Sequence, residues 1–224
     1  ARLPQIKARH KAKDIFWKGY EELRSVFRDM RHNKKLKRYL SAFFIYSMAV
    51  QTIMMMAAYF GAQEINWPSP EEAQTGLIVS ILLIQFLAVL GAILLARISE
   101  ALGNIKALMI VVLAWAAICV GAYFVQEPIG FYITAACVGV VMGGIQALSR
   151  STYSKFLPET QDTTSYFSFY DISEKIGIII GTLSYGLIEQ FTGSMRNSIF
   201  ALFIFFIVGF FLLLRVPKDA KLSQ

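Results

Sequence analysis

Polar side chains interrupt otherwise apolar segments at several positions and could line a path for a polar solute. In a bilayer such side chains are costly and usually face a bundle interior or a water-filled cavity. Asp171 and Lys175 are four residues apart on a predicted helix and could pair on one face. Glu174 and Lys175 are adjacent, so one face cannot bury the whole cluster. The candidate pathway residues are Tyr46, Gln51, Gln85, Gln146, Arg150, Tyr170, Asp171, Glu174 and Lys175.

Each candidate also has a simpler interpretation. A glutamine within a span could bridge two helices by hydrogen bonds, and the charged cluster could lie at the level of the lipid headgroups. If the cluster faces a path instead, it would be a gate or a substrate contact. A proton-coupled carrier needs a carboxylate that changes protonation, and Asp171 and Glu174 are the only acids close to the interior of a span.

Composition argues against soluble and enzymatic classes. Charged residues make up 17% of the 224, the mean hydropathy is +0.52, and soluble domains carry about a quarter charged residues. The histidines, His10 and His32, lie in the basic N-terminal stretch, and Cys119 and Cys137 lie in apolar runs. With no Ser/His pair in the spans, no metal-ligand cluster and no phosphate loop, we expect no enzyme activity, cofactor or metal.

Six apolar runs are long enough for membrane helices, which need about 20 residues each. Backbone groups in lipid must be bonded internally, so the runs predict an all-α membrane protein. The fifth run differs because its N-terminal half is charged. We expect a transmembrane domain over 39–217 and a cytoplasmic tail over 218–224. The predicted spans are about 40–60, 75–96, 107–125, 128–148, 166–188 and 198–214.

Basic residues predict the orientation of these spans. Of 22 Lys and Arg residues, all except Lys175 and Arg196 fall on one predicted side, which places both termini in the cytoplasm. Residues 1–38 form a basic linker in which 14–31 has the spacing of an amphipathic helix. We expect that helix to lie on the lipid surface. A protein-binding role is an alternative, and no motif accompanies the charge to indicate nucleic-acid binding.

Two local patterns predict how the helices connect and pack. The short turn with Glu100, Gly103 and Lys106 is a candidate cytoplasmic gate loop, in which glycine allows the tight turn. The sequence Ser69-Pro70-Glu71-Glu72 has the cap, proline and acids of a helix start. Glycines four residues apart also allow helices to approach closely. These pairs are Gly139 with Gly143, and Gly177 with Gly181.

These features resemble the second half of a major facilitator superfamily transporter. The gate loop is similar to the superfamily's acid-x-x-Gly-x-basic turn, with Glu100 for the usual Asp and Ala101 where a basic residue is usual. The segment 143–151, followed by Pro158, 168–170 and Lys175, resembles the autophagy-type vacuole effluxer family. The 43–51 run and 193–196 fit as well, although Ser47, Met48 and Ala49 stand where that family often has an acid.

The resemblance implies secondary transport of a small polar solute, with amino acids as one candidate class, in a bacterial inner membrane. It also implies twelve spans, so we expect a missing N-terminal six-span half or a second copy as partner. The chain begins with Ala rather than Met, which indicates trimming, a fragment or a processed sample. The alternatives are a non-transporting assembly module and a six-span channel.

Overall fold

The computed structural model describes residues 24, 26–28, 33–158 and 163–217. Apart from a short helical piece at residues 24 and 26–28, these residues form six α-helices joined by short connections, and no strand occurs among them. The helices are α1 (Lys34–Glu64), α2 (Pro70–Leu102), α3 (Asn104–Phe124), α4 (Pro128–Phe156), α5 (Thr163–Thr192) and α6 (Met195–Leu214).

Five of these helices are long and apolar enough to cross a membrane, and α5 is the exception. The charged N-terminal half of α5, which contains Asp171, Glu174 and Lys175, lowers its hydropathy. The expected start of α2 is confirmed, because the Ser69 side chain accepts a hydrogen bond from the Glu72 amide at 3.2 Å. Helices α1 and α2 begin before their apolar runs because the side chains of Asn33 and Ser69 cap them there.

The basic run before the first apolar segment belongs to α1. Asn33 has an extended backbone and its side chain accepts from the Leu36 amide at 3.1 Å, so a new helix starts at Lys34 rather than at the apolar run. Most of the predicted surface helix at 14–31 lies outside the described residues. Of the described residues in this stretch, Val26 is buried, and the ring of Phe27 lies 6.2 Å from that of Phe169 on α5.

Small residues allow the closest helix approaches. Helix α2 packs mainly on α4, while α1 packs on α5 and α6, and α3 packs on α6 and α4. Gly139 and Gly143 of α4 face backbone atoms of Ile84 and Ala88 on α2. The second predicted pair is also an interface, in which Gly177 and Gly181 of α5 face Met48 and Thr52 of α1.

Replacing Gly143 with alanine tests this packing. A Cβ atom at Gly143 would overlap the Ala88 carbonyl, which cannot move without shifting α2. We expect Gly143→Ala to lower the free energy of unfolding by about 1–3 kcal/mol. Gly121→Ala on α3 is the matched control, because a Cβ there meets nothing within 4 Å and alanine favours helix. Thermal unfolding in nanodiscs measures both, and equal midpoints would contradict this description of the α2–α4 contact.

Candidate transport site

A cavity of about 370 Å³ lies between α1, α4 and α5. It lies nearer the end of the bundle at which α1 begins and α4 ends, because each helix contributes residues from that part of its length. Its walls mix aromatic rings, amides and charges, as expected of a site for a polar solute. The lining residues are Phe43, Tyr46, Ser47, Val50, Gln51, Ile145, Gln146, Ala147, Ser149, Arg150, Tyr170 and Glu174.

Helical spacing explains why sequence-distant residues meet here. Gln146 and Arg150 are four residues apart on α4, as are Tyr170 and Glu174 on α5, so each pair shares one helix face. The cavity thus collects six of the nine candidate pathway residues. They are Tyr46, Gln51, Gln146, Arg150, Tyr170 and Glu174.

An ion pair joins α4 to α5 beside the cavity. The Arg150 Nη2 donates to the Asp171 Oδ1 at 2.7 Å, and the guanidinium lies 5.7 Å from the centre of the Tyr170 ring. Asp171 therefore pairs with Arg150 on the neighbouring helix. The i, i+4 spacing along α5 had suggested Lys175 as its partner, and that prediction is wrong. Lys175 is exposed and does not line the cavity, because it lies about 100° around α5 from Glu174.

A second polar contact joins α1 to α5 within the cavity wall. The Gln51 side-chain amide donates to the Glu174 carboxylate. Both residues are half-buried, and the donor is neutral. The two acids in the N-terminal half of α5 therefore differ in their partners, because Asp171 faces a guanidinium and Glu174 faces an amide.

Phe43 and Ser149, which the sequence did not single out, complete the wall. Phe43 stacks on Tyr170 with ring centres 4.2 Å apart. The Tyr46 hydroxyl lies 2.7 Å from the Ser149 Oγ, and the Tyr39 hydroxyl donates to the Ser149 carbonyl at 2.7 Å. These contacts hold α1 against α4. Tyr39, Phe43 and Tyr46 are spaced by four and three residues and share one face of α1. This spacing is the signal that could have added Tyr39 and Phe43 to Tyr46.

Gln85 is not part of this site. The buried residues of α2 include Ser80, Ile84 and Gly91, and Gln85 follows Ile84 by one helical step. Its side chain is exposed on an outward face that is otherwise strongly apolar. The exposed apolar residues around it on α2 are Ile78, Val79, Ile81, Leu82, Phe86, Val89, Leu90, Ile93 and Leu94.

The predicted gate loop is fixed by a residue that the sequence interpretation did not select. Gly103 has φ 88° and ends α2, as expected of a glycine turn. The buried Asn104 side chain accepts from the Ser99 hydroxyl at 2.8 Å and from the Lys155 ammonium at 2.9 Å. Its amide group also donates to Thr152 on α4 at 3.1 Å. In contrast, Glu100 and Lys106 are exposed, and neither forms an ion pair with a described residue.

A clamp at the opposite end joins α1, α3 and α6. Arg196 Nε donates to the Glu64 Oε2 at 2.8 Å, and Nη2 donates to the Glu64 carbonyl at 3.0 Å. Nη1 donates to the carbonyls of Tyr123 and Val125 at 2.6 and 2.8 Å. Arg196 therefore satisfies carbonyls at the C-terminal end of α3, where a cation is favoured.

The cavity suits binding of a polar solute more than bond chemistry. It offers amides, hydroxyls, a paired cation and one carboxylate with a neutral partner. Among the residues that the structure describes, no group of three or more His, Cys, Asp and Glu side chains could hold a metal ion. The geometry can therefore bind, orient and screen a small solute.

Comparisons with known proteins agree with the sequence resemblance. The family model described as "Vacuole effluxer Atg22 like" matches residues 2–224. The chain is 29% identical to the MFS-type transporter YxiO of Bacillus subtilis over 98% of this chain and 51% of YxiO. It is 32% identical to autophagy-related protein 22 of Vanderwaltozyma polyspora over 88% of this chain and 40% of that protein.

The match extends over almost the whole chain and includes every cavity-lining residue. The chain spans about half the length of YxiO and less of the yeast protein. Together with the apolar helices, the comparisons identify an integral membrane protein. The expected family is confirmed, and the chain belongs to the Atg22-like vacuole effluxer family.

Proposed function

We propose that the chain is one six-helix half of a secondary active transporter of the major facilitator type, which moves a small polar solute by alternating access. The observation that carries the proposal is the polar cavity between α1, α4 and α5 within a bundle of apolar helices. Family membership supports it, since one relative is named an MFS-type transporter. In this proposal α5 is the fifth of six spans, and its Glu174 lines the path beside the Arg150–Asp171 pair.

The partner in this proposal is a further six-span half, either an N-terminal segment of the same protein or a second copy. Transport in such proteins requires two repeats that rock against each other around a midplane site. Lipid covers the remaining outer surface. The protein lies in a bacterial inner membrane, and both of its termini face the cytoplasm.

We propose amino acids as the first solutes to test. A zwitterion needs acceptors for its ammonium group and donors for its carboxylate, and Glu174, Gln51 and Gln146 supply both kinds of group in one cavity. The loop with Glu100, Gly103 and Lys106 then connects α2 and α3 at the cytoplasmic gate. Asn104 fixes that loop to α4.

Uptake into proteoliposomes tests the function and the role of the Arg150–Asp171 pair. Full-length protein is supplied with labelled amino-acid mixtures, with and without a pH gradient. We expect uptake above protein-free vesicles, and we expect Arg150→Met or Asp171→Asn to reduce it roughly tenfold, a change equal to about 1.4 kcal/mol. Because an exposed pair contributes only about 0–1 kcal/mol to stability, thermal unfolding should change little.

A charge swap separates a gate from a substrate contact. If the pair is a gate between α4 and α5, the double variant Arg150→Asp/Asp171→Arg restores uptake, because the attraction is preserved. If Arg150 binds the solute directly, the swap stays inactive. Lys175→Met is the matched control, since Lys175 is exposed outside the cavity. Absence of uptake in the wild type for every mixture would contradict amino-acid transport, and six further spans encoded upstream of Ala1 would support the partner half.

A further inference from the structure

Two carboxylates lie one turn apart on α5 in different settings. Asp171 contacts the Arg150 guanidinium at 2.7 Å, and its side chain is 43% exposed. Glu174 lines the cavity and accepts a hydrogen bond from the neutral amide of Gln51. An arginine stays charged at any ordinary pH, so Asp171 faces a permanent positive charge. Among the residues that the structure describes, no cation forms an ion pair with Glu174.

We propose that Glu174 is the protonation site of the cavity and that Gln51 is its partner in both protonation states. This rests on the proposed function, for which it supplies the coupling group. A proton from cavity water binds the Glu174 carboxylate and later returns to water, and no other bond forms or breaks. Pairs of acids whose surroundings differ in this way commonly divide their roles between a fixed charge and a proton carrier.

Gln51 suits this role because an amide both donates and accepts. With Glu174 ionised, the amide NH2 group of Gln51 donates to the carboxylate. With Glu174 protonated, the carboxylic O–H donates to the Gln51 Oε1 once the amide has rotated. A hydrogen bond to a charged group is roughly twice as strong as a neutral one, so protonation weakens the contact between α1 and α5. Proton binding is thereby linked to helix position in the cavity wall.

The charges nearest Glu174 come from α4 and from its own helix. Tyr46 on α1, Arg150 on α4 and Tyr170 on its own helix line the cavity with Glu174, and Asp171 lies about one turn before it. Helix α6 also packs on α5, and it carries no titratable side chain after Arg196. Because Asp171 neutralises Arg150, ionised Glu174 is the uncompensated charge of this set. A proton removes that charge from a partly desolvated cavity.

Infrared difference spectra during a pH titration test the proposal directly. The chain is placed in lipid nanodiscs, and the carboxylic C=O band that appears on acidification is recorded. We expect a band in the wild type that is lost in Glu174→Gln and retained in Glu100→Gln, the matched control at an exposed loop carboxylate. A band unchanged by Glu174→Gln would overturn the proposal.

Two further variants keep the test decisive if Glu174→Gln folds poorly. Asp171→Asn leaves Arg150 unpaired, so its charge should stabilise ionised Glu174 and move the band to lower pH. Gln51→Leu removes the donor to the carboxylate and should move the band to higher pH. Circular dichroism checks that each variant folds. A band that neither change moves would overturn the proposal.

Transport assays separate this proposal from the proposed function. Wild-type uptake that follows the pH gradient and loses that dependence in Glu174→Gln supports both. Uptake that still follows the gradient in Glu174→Gln overturns the proton role of Glu174 and leaves the transporter proposal standing. A Glu174 band in a wild type without uptake supports the protonation site and counts against the transporter proposal.

Discussion

Replacing Arg196 with methionine lowers the free energy of unfolding by roughly 2–4 kcal/mol, because several partly buried acceptors lose a charged donor. Arg196 contacts the Glu64 carboxylate and carbonyl and the carbonyls of Tyr123 and Val125, all between 2.6 and 3.0 Å. The side chains of Arg196 and Glu64 are 17% and 23% exposed. Water therefore replaces these contacts poorly, and methionine keeps most of the volume without any donor.

Thermal unfolding in nanodiscs, followed by tryptophan fluorescence, measures this effect. Arg97→Met is the matched control, because Arg97 is exposed near the end of α2 and should leave the midpoint nearly unchanged. Glu64→Gln should cost less than Arg196→Met, since the three carbonyl contacts remain. Arg196→Lys should recover only part of the loss, because an ammonium lacks the planar fork that reaches all four acceptors. Equal midpoints for Arg196→Met and Arg97→Met would contradict the clamp.

The helices could be predicted from the sequence because apolar runs and capping residues are local signals. Ser69 and Pro70 fix the start of α2 through contacts within four residues. The start of α1 was less evident, since Lys34 and the basic residues after it are typical of a linker. The Asn33 cap makes them the first turns of a helix.

The cavity could be predicted only in part. Gln51, Gln146 and Glu174 are conspicuous because polar residues are rare in apolar runs, and the structure brings all three to one site. Phe43 and Ser149 attract no notice in such runs, although they form part of the wall. Gln85 is the opposite case, because it is a conspicuous polar residue that does not reach the cavity. The sequence identifies such a residue but does not show whether its side of the helix faces the bundle interior or the outside.

Partners across helices were the least predictable feature. Spacing along α5 suggested Asp171 with Lys175, yet Arg150 on α4 is the partner. Asn104 and Arg196 carry no local pattern that distinguishes a buried anchor from a solvated loop residue. Their roles depend on helix ends that meet only after the bundle has formed, such as Asn104 with Lys155 and Arg196 with Glu64.

Chemical modification of a cysteine placed at position 146 should have the second large effect, a loss of uptake. Gln146 suits this test because it lines the cavity and is solvent-accessible. The background carries Cys137→Ser, which removes the exposed native thiol, and retains the buried Cys119. A bulky modification of Gln146→Cys should block the cavity of about 370 Å³ and abolish uptake. Gln85→Cys is the matched control, since it replaces a glutamine on the outward face of α2.

The most direct test of the cavity as the transport path is therefore uptake by these two variants after treatment with a membrane-impermeant thiol reagent. We expect the reagent to label Gln146→Cys and stop its uptake, and excess solute to slow the labelling. Gln85→Cys should remain active. Labelled Gln146→Cys that still transports at the untreated rate would contradict the assignment of transport to this cavity.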